Sequence, residues 1–144
     1  MTLRARIPCR AMAERRVVID HLTIGVRDLA RSRAFYAAAL EPLGFREMGA
    51  WSEEQREIAF GYDGGDDFAI SSQYPAGGQL HIAFSADSRE AVDAFYAAAL
   101  SAGAADNGAP GERPEYAPGY YWAFVLDPDG HNVEAVWHSG SGSS

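Results

Sequence analysis

Two histidines carry the first chemical signal in this sequence. His21 and His81 lie 60 positions apart, and each occupies a β-like run just before a helical segment. The same offset separates two copies of the heptapeptide Ala-Phe-Tyr-Ala-Ala-Ala-Leu, at 34–40 and 94–100. Because two independent features repeat at one offset, the sequence indicates an internal duplication.

Strand alternation places both histidines on the face that the neighbouring helix does not cover. In the first strand His21 lies opposite Ile24 and Val26, and in the second His81 lies opposite Phe84. A single histidine in a strand is most often a core or edge residue. A duplicated pair that faces one cleft instead indicates a pair of ligands.

The last predicted hairpin adds a carboxylate to this pair. Residues 127–130, Asp-Pro-Asp-Gly, fit a type I turn with a left-handed glycine, and the resulting register pairs Glu134 with Phe124. Glu134 is either an exposed strand carboxylate or a buried acid, which is costly unless it is paired. Two neutral imidazoles and one carboxylate form a facial triad that suits a divalent metal with open positions. We therefore predict His21, His81 and Glu134 as ligands of one divalent metal ion, with Fe, Mn, Zn and Ni all open.

The elements that must position these residues follow the order βαβββ, twice. Helices are predicted over about 29–40, capped by Asp28, and over about 88–102, where Asp87 and Glu90 form a capping-box pattern. Strands are predicted at about 17–26, 44–51, 56–62, 67–73, 79–86, 120–127 and 131–138.

This order predicts one α+β domain at 17–138. Two tandem βαβββ modules, at about 17–74 and 79–138, set their mixed sheets around a shared cup. The Gly- and Pro-rich segment 103–119 is predicted to be a long loop, with at most one short strand, that covers the cup. The helices leave one face of each sheet uncovered, so that the cup is where a ligand would bind.

Several further side chains are candidates for contact with a ligand. The aromatic residues share the face of Glu134 and form either a wall for a flat apolar substrate or plain inter-sheet core. Arg113 is either a solvated loop residue or the group that receives a substrate carboxylate. The candidate substrate contacts are Arg113, Tyr116, Tyr120, Trp122 and Phe124. Glu57 is the candidate catalytic base, and His138 shares the same face as the aromatic residues but is expected to be exposed near the chain end.

The charge distribution excludes several classes of function. All twelve cationic residues are arginines, and five of them lie with a single carboxylate in the basic arm at 1–16, so seven arginines and nineteen carboxylates remain for the body, a charge of about −12. Such a body repels a phosphate backbone, so we expect no nucleic-acid partner. The absence of lysine excludes P-loop and Schiff-base chemistry.

The chain ends and the hydropathy complete the outline. No window approaches the roughly 18 consecutive apolar residues of a membrane span, so we expect a cytoplasmic protein without a membrane partner. The arm at 1–16 is either a solvated tail or a partner-binding segment, and 139–144 is a flexible tail by composition. Cys9 has no second cysteine with which to form an internal disulfide.

These residues resemble the vicinal oxygen chelate superfamily, which includes glyoxalase I, extradiol dioxygenases, and the fosfomycin- and bleomycin-resistance proteins. The resemblance covers 17–138 and is carried by four segments, at 20–29, 35–36, 80–84 and 124–134. It implies paired βαβββ modules and a metal held by the first-strand histidines and the last-strand glutamate. In this sequence those residues are His21, His81 and Glu134.

The sequence departs from several members of that superfamily. Glyoxalase I takes a fourth ligand, which also transfers a proton, from the position where this chain has Phe68 or Ala69. Extradiol enzymes carry a tyrosine where this chain has Phe124 and a histidine where the stretch 116–121 has none. Fosfomycin-resistance transferases must hold a phosphonate dianion, for which the second module offers only two arginines. All three activities are therefore disfavoured.

The sequence thus supports two hypotheses of different class. The first is a metal-dependent enzyme of the glyoxalase or dioxygenase type that binds a small substrate through adjacent oxygens. The alternative is a metal-free binding or sequestration protein of the bleomycin-resistance type. We expect a homodimer, and the sequence leaves open whether the modules pair within one chain or across two.

Overall fold

Both predicted modules are present in the structure, a computed structural model that describes residues 19–49, 54–115 and 118–139. The first module contains β1 (Leu22–Gly25), α1 (Leu29–Leu40), a 3-10 turn (Glu41–Leu43), β2 (Phe45–Met48), β3 (Glu57–Tyr62) and β4 (Phe68–Ser71). The second contains β5 (His81–Ser85), α2 (Arg89–Ser101), β6 (Ala105–Glu112), β7 (Tyr120–Leu126) and β8 (Asn132–His138). The predicted α+β class and the twofold βαβββ order are confirmed.

Some predictions concern residues outside the ranges that the structure describes. The arm at 1–16 with Cys9, the candidate contact Tyr116, and the tail beyond Ser139 lie outside the described residues. Within the described ranges, no helix is long and apolar enough to cross a membrane.

Each module forms one mixed four-stranded sheet. The strand orders are β1-β4-β3-β2 and β5-β8-β7-β6, with β1 parallel to β4 and β5 parallel to β8. In the last hairpin Phe124 lies opposite Glu134 and Trp122 opposite Val136. The turn glycine, Gly130, has φ +87°. The register predicted from the turn is therefore confirmed.

Each helix begins at a short polar side chain that accepts a hydrogen bond from a backbone N–H group of the first turn. Asp28 caps α1, as predicted, by accepting a hydrogen bond from the Arg31 amide at 3.0 Å. The cap of α2 is Ser88, whose Oγ accepts from the Ala91 amide at 3.1 Å. The capping box predicted at Asp87 was wrong by one residue, because the serine that follows is itself extended and presents the acceptor.

The segment 103–119, predicted as a long loop with at most one short strand, contains a strand of eight residues. Residues 105–112 form the edge strand β6, which pairs with β7 through two register irregularities around Gly108. An edge strand tolerates Pro110, because a missing N–H on the outer side breaks no ladder bond. The Gly- and Pro-rich composition of this segment, which predicted a loop, therefore belongs to an irregular edge strand.

The helix-covered faces of both sheets meet in one hydrophobic core. The Phe84 ring of β5 packs against Phe45 and Phe68, with centroids 5.4 and 5.3 Å apart. Phe45 lies on β2, the edge of the first sheet farthest from β1, so β5 lies across the helix-covered face of that sheet. The uncovered faces of the two sheets are therefore turned away from this shared core.

A buried hydrogen-bond network ties the second module to α1. The Tyr36 hydroxyl donates to Asp127 Oδ2 at 2.6 Å, and the amides of Asp129 and His131 donate to Oδ1 of the same carboxylate. The adjacent Asp129 accepts from the Arg27 amide and from its guanidinium, at 3.1 and 3.2 Å. Burial of the ring, followed by the charge of Asp127, raises the pKa of Tyr36 well above its usual value. The hydroxyl therefore stays protonated and keeps donating.

We predict that Tyr36→Phe lowers the free energy of unfolding by about 1–2 kcal/mol, because a buried carboxylate loses a charge-assisted donor. Urea denaturation followed by circular dichroism measures the change. Tyr74→Phe is the matched control, since Tyr74 is 53% exposed. Equal stability of the two variants would show that the contact contributes nothing.

Candidate metal and ligand site

The structure brings His81 and Glu134 together on the uncovered face of the second sheet. β5 and β8 are parallel neighbours whose register pairs Ala83 with Glu134, so His81 lies two residues earlier on the same face. His81 Nε2 lies 3.0 Å from Glu134 Oε2. The Glu134 side chain is 6% exposed and that of His81 52%, so the imidazole lies between the acid and solvent.

Burial makes Glu134 an unfavourable place for a negative charge. Desolvation raises the pKa of its carboxyl above the usual value, and the neighbouring His81 opposes this effect without cancelling it. A carboxylate in such a position is stabilised by any cation that reaches it.

His21 lies apart from this pair, just before β1. Its Nδ1 is 2.8 Å from Asp20 Oδ1, and its side chain is 61% exposed. The hydrogen bond to Asp20 and then the charge of that carboxylate raise the pKa of His21, with smaller contributions from Asp66 and Glu57. Across the described ranges, no three His, Cys, Asp or Glu side chains gather in a group able to hold a metal ion. Of the three predicted ligands, only His81 and Glu134 therefore lie in contact within one chain.

The candidate base Glu57 lies on the first sheet, with His21. It begins β3, opposite Ser71 of β4, and is exposed on the uncovered face. Its negative charge is the smallest of the contributions that raise the pKa of His21.

The aromatic candidates form a continuous strip beside Glu134. The Tyr120 and Trp122 ring centroids are 5.9 Å apart, and those of Trp122 and Phe124 are 5.8 Å apart. The strip ends at His81, whose ring lies 6.2 Å from Phe124. Ala123 points to the other face and is fully buried in the core. The strip is therefore on the uncovered face of the sheet.

His138 is less exposed than its position near the chain end predicts. Its ring lies 3.9 Å from the ring of Tyr120, edge to face, and extends the strip at the end far from His81. The side chain is half-buried rather than exposed.

Arg113 follows directly after β6 and packs on the strip. Its guanidinium carbon is 5.7 Å from the Phe124 centroid, and Nη2 donates to the Ala109 carbonyl at 3.3 Å. Its Nε is buried and makes no hydrogen bond to the described residues. A Cβ added to Gly108 would lie 3.0 Å from the Phe124 ring and 3.2 Å from Nη2. Gly108 therefore makes room for this stacking, a role that sequence reasoning missed although a strand glycine signals close approach.

The structure also identifies which residue stands at the missing fourth-ligand position. Phe68 is buried in the core, with its ring 5.0 Å from that of Tyr36. Ala69 lies on the opposite, uncovered face, between Thr23 of β1 and Ala59 of β3. Of the two residues at the position where the resemblance implies a fourth ligand, the one on the uncovered face therefore carries only a methyl group, which can neither coordinate a metal nor carry a proton.

Comparison with known proteins assigns the family. Residues 18–135 match the model of the Glyoxalase/Bleomycin resistance protein/Dioxygenase superfamily. A glyoxalase/bleomycin resistance protein from Albidiferax ferrireducens is 30% identical, with a TM-score of 0.70, over 85% of this chain and 100% of that one.

More distant structures share the fold. A glyoxalase/bleomycin resistance protein/dioxygenase family enzyme from Burkholderia phytofirmans is 22% identical, with a TM-score of 0.63, over 85% of this chain and 99% of that one. A lactoylglutathione lyase from Agrobacterium tumefaciens is 18% identical, with a TM-score of 0.63, over 90% and 99% of the respective chains. A search of curated proteins finds no match. The chain belongs to the glyoxalase/bleomycin resistance/dioxygenase superfamily, which is the vicinal oxygen chelate superfamily that its motifs resemble.

Proposed function

We propose that this protein is a metal-dependent enzyme whose site is completed by two copies of the chain. His81 and Glu134 of one copy and His21 of the other hold one divalent metal ion, and a small substrate binds it through adjacent oxygens. The observation that carries the proposal is the contact between His81 and the buried Glu134, beside which the described residues of the same chain supply no third ligand. Members of this superfamily commonly bind a divalent metal and often form dimers.

The residues present fit a metal by their chemistry. Two imidazoles and one carboxylate are the donors of a site that keeps positions open for substrate, and Fe, Mn, Zn and Ni all accept this set. The buried carboxyl of Glu134, with its raised pKa, gains most from a cation. The acidic neighbours of His21 favour the approach of a cation from the other side of the site.

The packing within one chain supports assembly from two copies. Because both helix-covered faces are used in the shared core, the uncovered faces need a second chain in order to enclose a cup. β1 and β5 are each the outermost strand of their sheet, and apolar side chains near their starts are exposed: Ile19, Leu22 and Leu80 are 75%, 41% and 44% exposed. Open edges flanked by apolar residues are surfaces that natural sheets cover. A second copy that places its β1 beside β5 covers them and brings its His21 toward His81.

The proposed site gives separate roles to the metal ligands, the aromatic strip and the candidate base. A bound divalent metal would supply Lewis acidity toward the adjacent oxygens of the ligand. The strip of Tyr120, Trp122 and Phe124 holds the flat part of the ligand and excludes water from one side. Glu57 enters the cup on the same sheet as His21 and is the candidate base for a ligand proton.

A second candidate is a binding protein that sequesters an aromatic ligand without metal. The aromatic strip favours it, because stacking on Trp122 and Phe124 needs no ion. Elemental analysis of protein purified without chelator or metal-binding tag separates the two. Near-stoichiometric metal supports the enzyme, and metal-free protein that still binds a flat ligand supports sequestration.

A mixed dimer tests the shared site directly. We predict that His21→Ala and Glu134→Gln homodimers bind no metal, whereas the heterodimer of the two variants binds one ion. In that heterodimer one cup carries both substitutions and the other carries neither. Differently tagged chains, purified in tandem and assayed by mass spectrometry for metal, give the stoichiometry. A heterodimer without metal would place all ligands within one chain.

Glu134→Gln should also stabilise the metal-free protein. Since the folded state raises the pKa of Glu134, ionisation of the acid opposes folding, and the cost appears as pH rises above the ordinary value of 4.5. We predict a melting temperature a few degrees above wild type at neutral pH in chelator, with no difference at pH below 4.5, where the acid is protonated in both states.

Thermal melts across pH measure this difference, with Glu57→Gln, an exposed acid, as the control. A variant that melts below wild type at neutral pH would show that the ionised pair with His81 outweighs the burial cost.

Glyoxalase I activity should be absent or very weak. Ala69 offers neither a fourth ligand nor a base at the position where that enzyme transfers its proton. The assay follows turnover of the hemithioacetal of methylglyoxal and glutathione after reconstitution with each candidate metal. Robust turnover with any of them would show that another group, with Glu57 the first to test, supplies the base.

A further inference from the structure

We propose that Arg113 binds the carboxylate of an organic acid that lies on the aromatic strip, so that the ligand class is a small aromatic carboxylate. The inference rests on the proposed function for one end of the ligand, the adjacent oxygens that bind the metal. The other end of the ligand carries the carboxylate that binds Arg113.

The first observation is the state of the guanidinium itself. It is stacked on Phe124, it donates once to the Ala109 carbonyl, and its buried Nε has no acceptor among the described residues. The neighbouring Glu112 is paired with Arg89 instead. An arginine presents five donors in a planar fork. Because Nε is buried, an incoming group would bind the two Nη atoms, whose one acceptor among the described residues is the Ala109 carbonyl.

The second observation is the place where this fork is held. The cation–π contact with Phe124 and the hydrogen bond to the Ala109 carbonyl restrict the motion of the guanidinium, which lowers the entropy lost when a planar acceptor binds. The acceptor that matches a fixed fork is a carboxylate, through two parallel hydrogen bonds. The one positive charge of Arg113 balances a monoanion, and the strongly acidic body repels a phosphate dianion more than a carboxylate.

The third observation is the distance from Arg113 to the metal ligands. Phe124 lies between them, with its centroid 5.7 Å from the guanidinium carbon and 6.2 Å from the His81 ring. One aromatic ring with a short acidic side chain spans this interval. Beside Trp122 the surface is open, because a Cβ added to Gly111, opposite Trp122, would have no atom within 4 Å.

The experiment uses two probes that differ in charge alone. Phenylacetate and phenylacetamide are titrated by calorimetry into the protein as purified, and again in chelator. We expect the acid to bind at least about ten-fold tighter than the amide, as a desolvated charge-assisted pair would give. Arg113→Gln should abolish the preference while leaving the metal content unchanged, and Arg113→Lys, which keeps the charge without the fork, should retain part of it.

Arg31→Gln, an exposed arginine on α1, is the matched control and should keep the full preference. Equal affinity for acid and amide in the wild type, a preference that survives in Arg113→Gln, or no binding of either probe at millimolar concentration overturns the assignment. Loss of metal sites in the mixed-dimer experiment with an intact preference for the acid would instead overturn the proposed metal chemistry alone.

Discussion

The Asp127 carboxylate fixes the position of one module against the other. It accepts the Tyr36 hydroxyl from α1 and two amides from its own turn, so a single buried group belongs to both halves of the chain. A buried carboxylate without these donors would be strongly destabilising, and so the arrangement that satisfies it is favoured over others. Because that arrangement joins the helix-covered faces, the faces that carry the candidate ligands remain available for contact outside the chain.

The same turn also positions the candidate ligands. His131 follows Asp127 in the turn, and its Nδ1 accepts the Leu80 amide at 3.1 Å, while the Asn132 amide donates to the Leu80 carbonyl at 2.8 Å. These bonds fix the start of β5, where His81 lies, relative to β8, which carries Glu134. The network that joins the modules therefore sets the contact on which the proposed metal site depends.

The sequence predicted those parts of the molecule that depend on local rules. The left-handed Gly130 and strand alternation were enough to place Phe124 and Trp122 beside Glu134. The length of β6 was underestimated because its Gly and Pro residues are tolerated at an edge or a bulge, and which strand forms an edge is a property of the whole sheet. The bond from Tyr36 to Asp127 joins residues 91 positions apart, and no local pattern encodes it. The orientation of the modules, and with it the separation of His21 from His81, could not be predicted for the same reason.

Two features of the single chain are unfavourable, and the proposed association of two copies around a metal ion would remove both. Burial raises the pKa of Glu134, so that its ionised form is unfavourable, and the edge strands β1 and β5 each have one side without a neighbouring strand. A second copy covers the strands, but it brings another strongly acidic body toward the first, with carboxylates around His21. A divalent ion held between the copies would offset part of this repulsion. Metal binding and association of the chains are then thermodynamically linked, because each stabilises the state that the other requires.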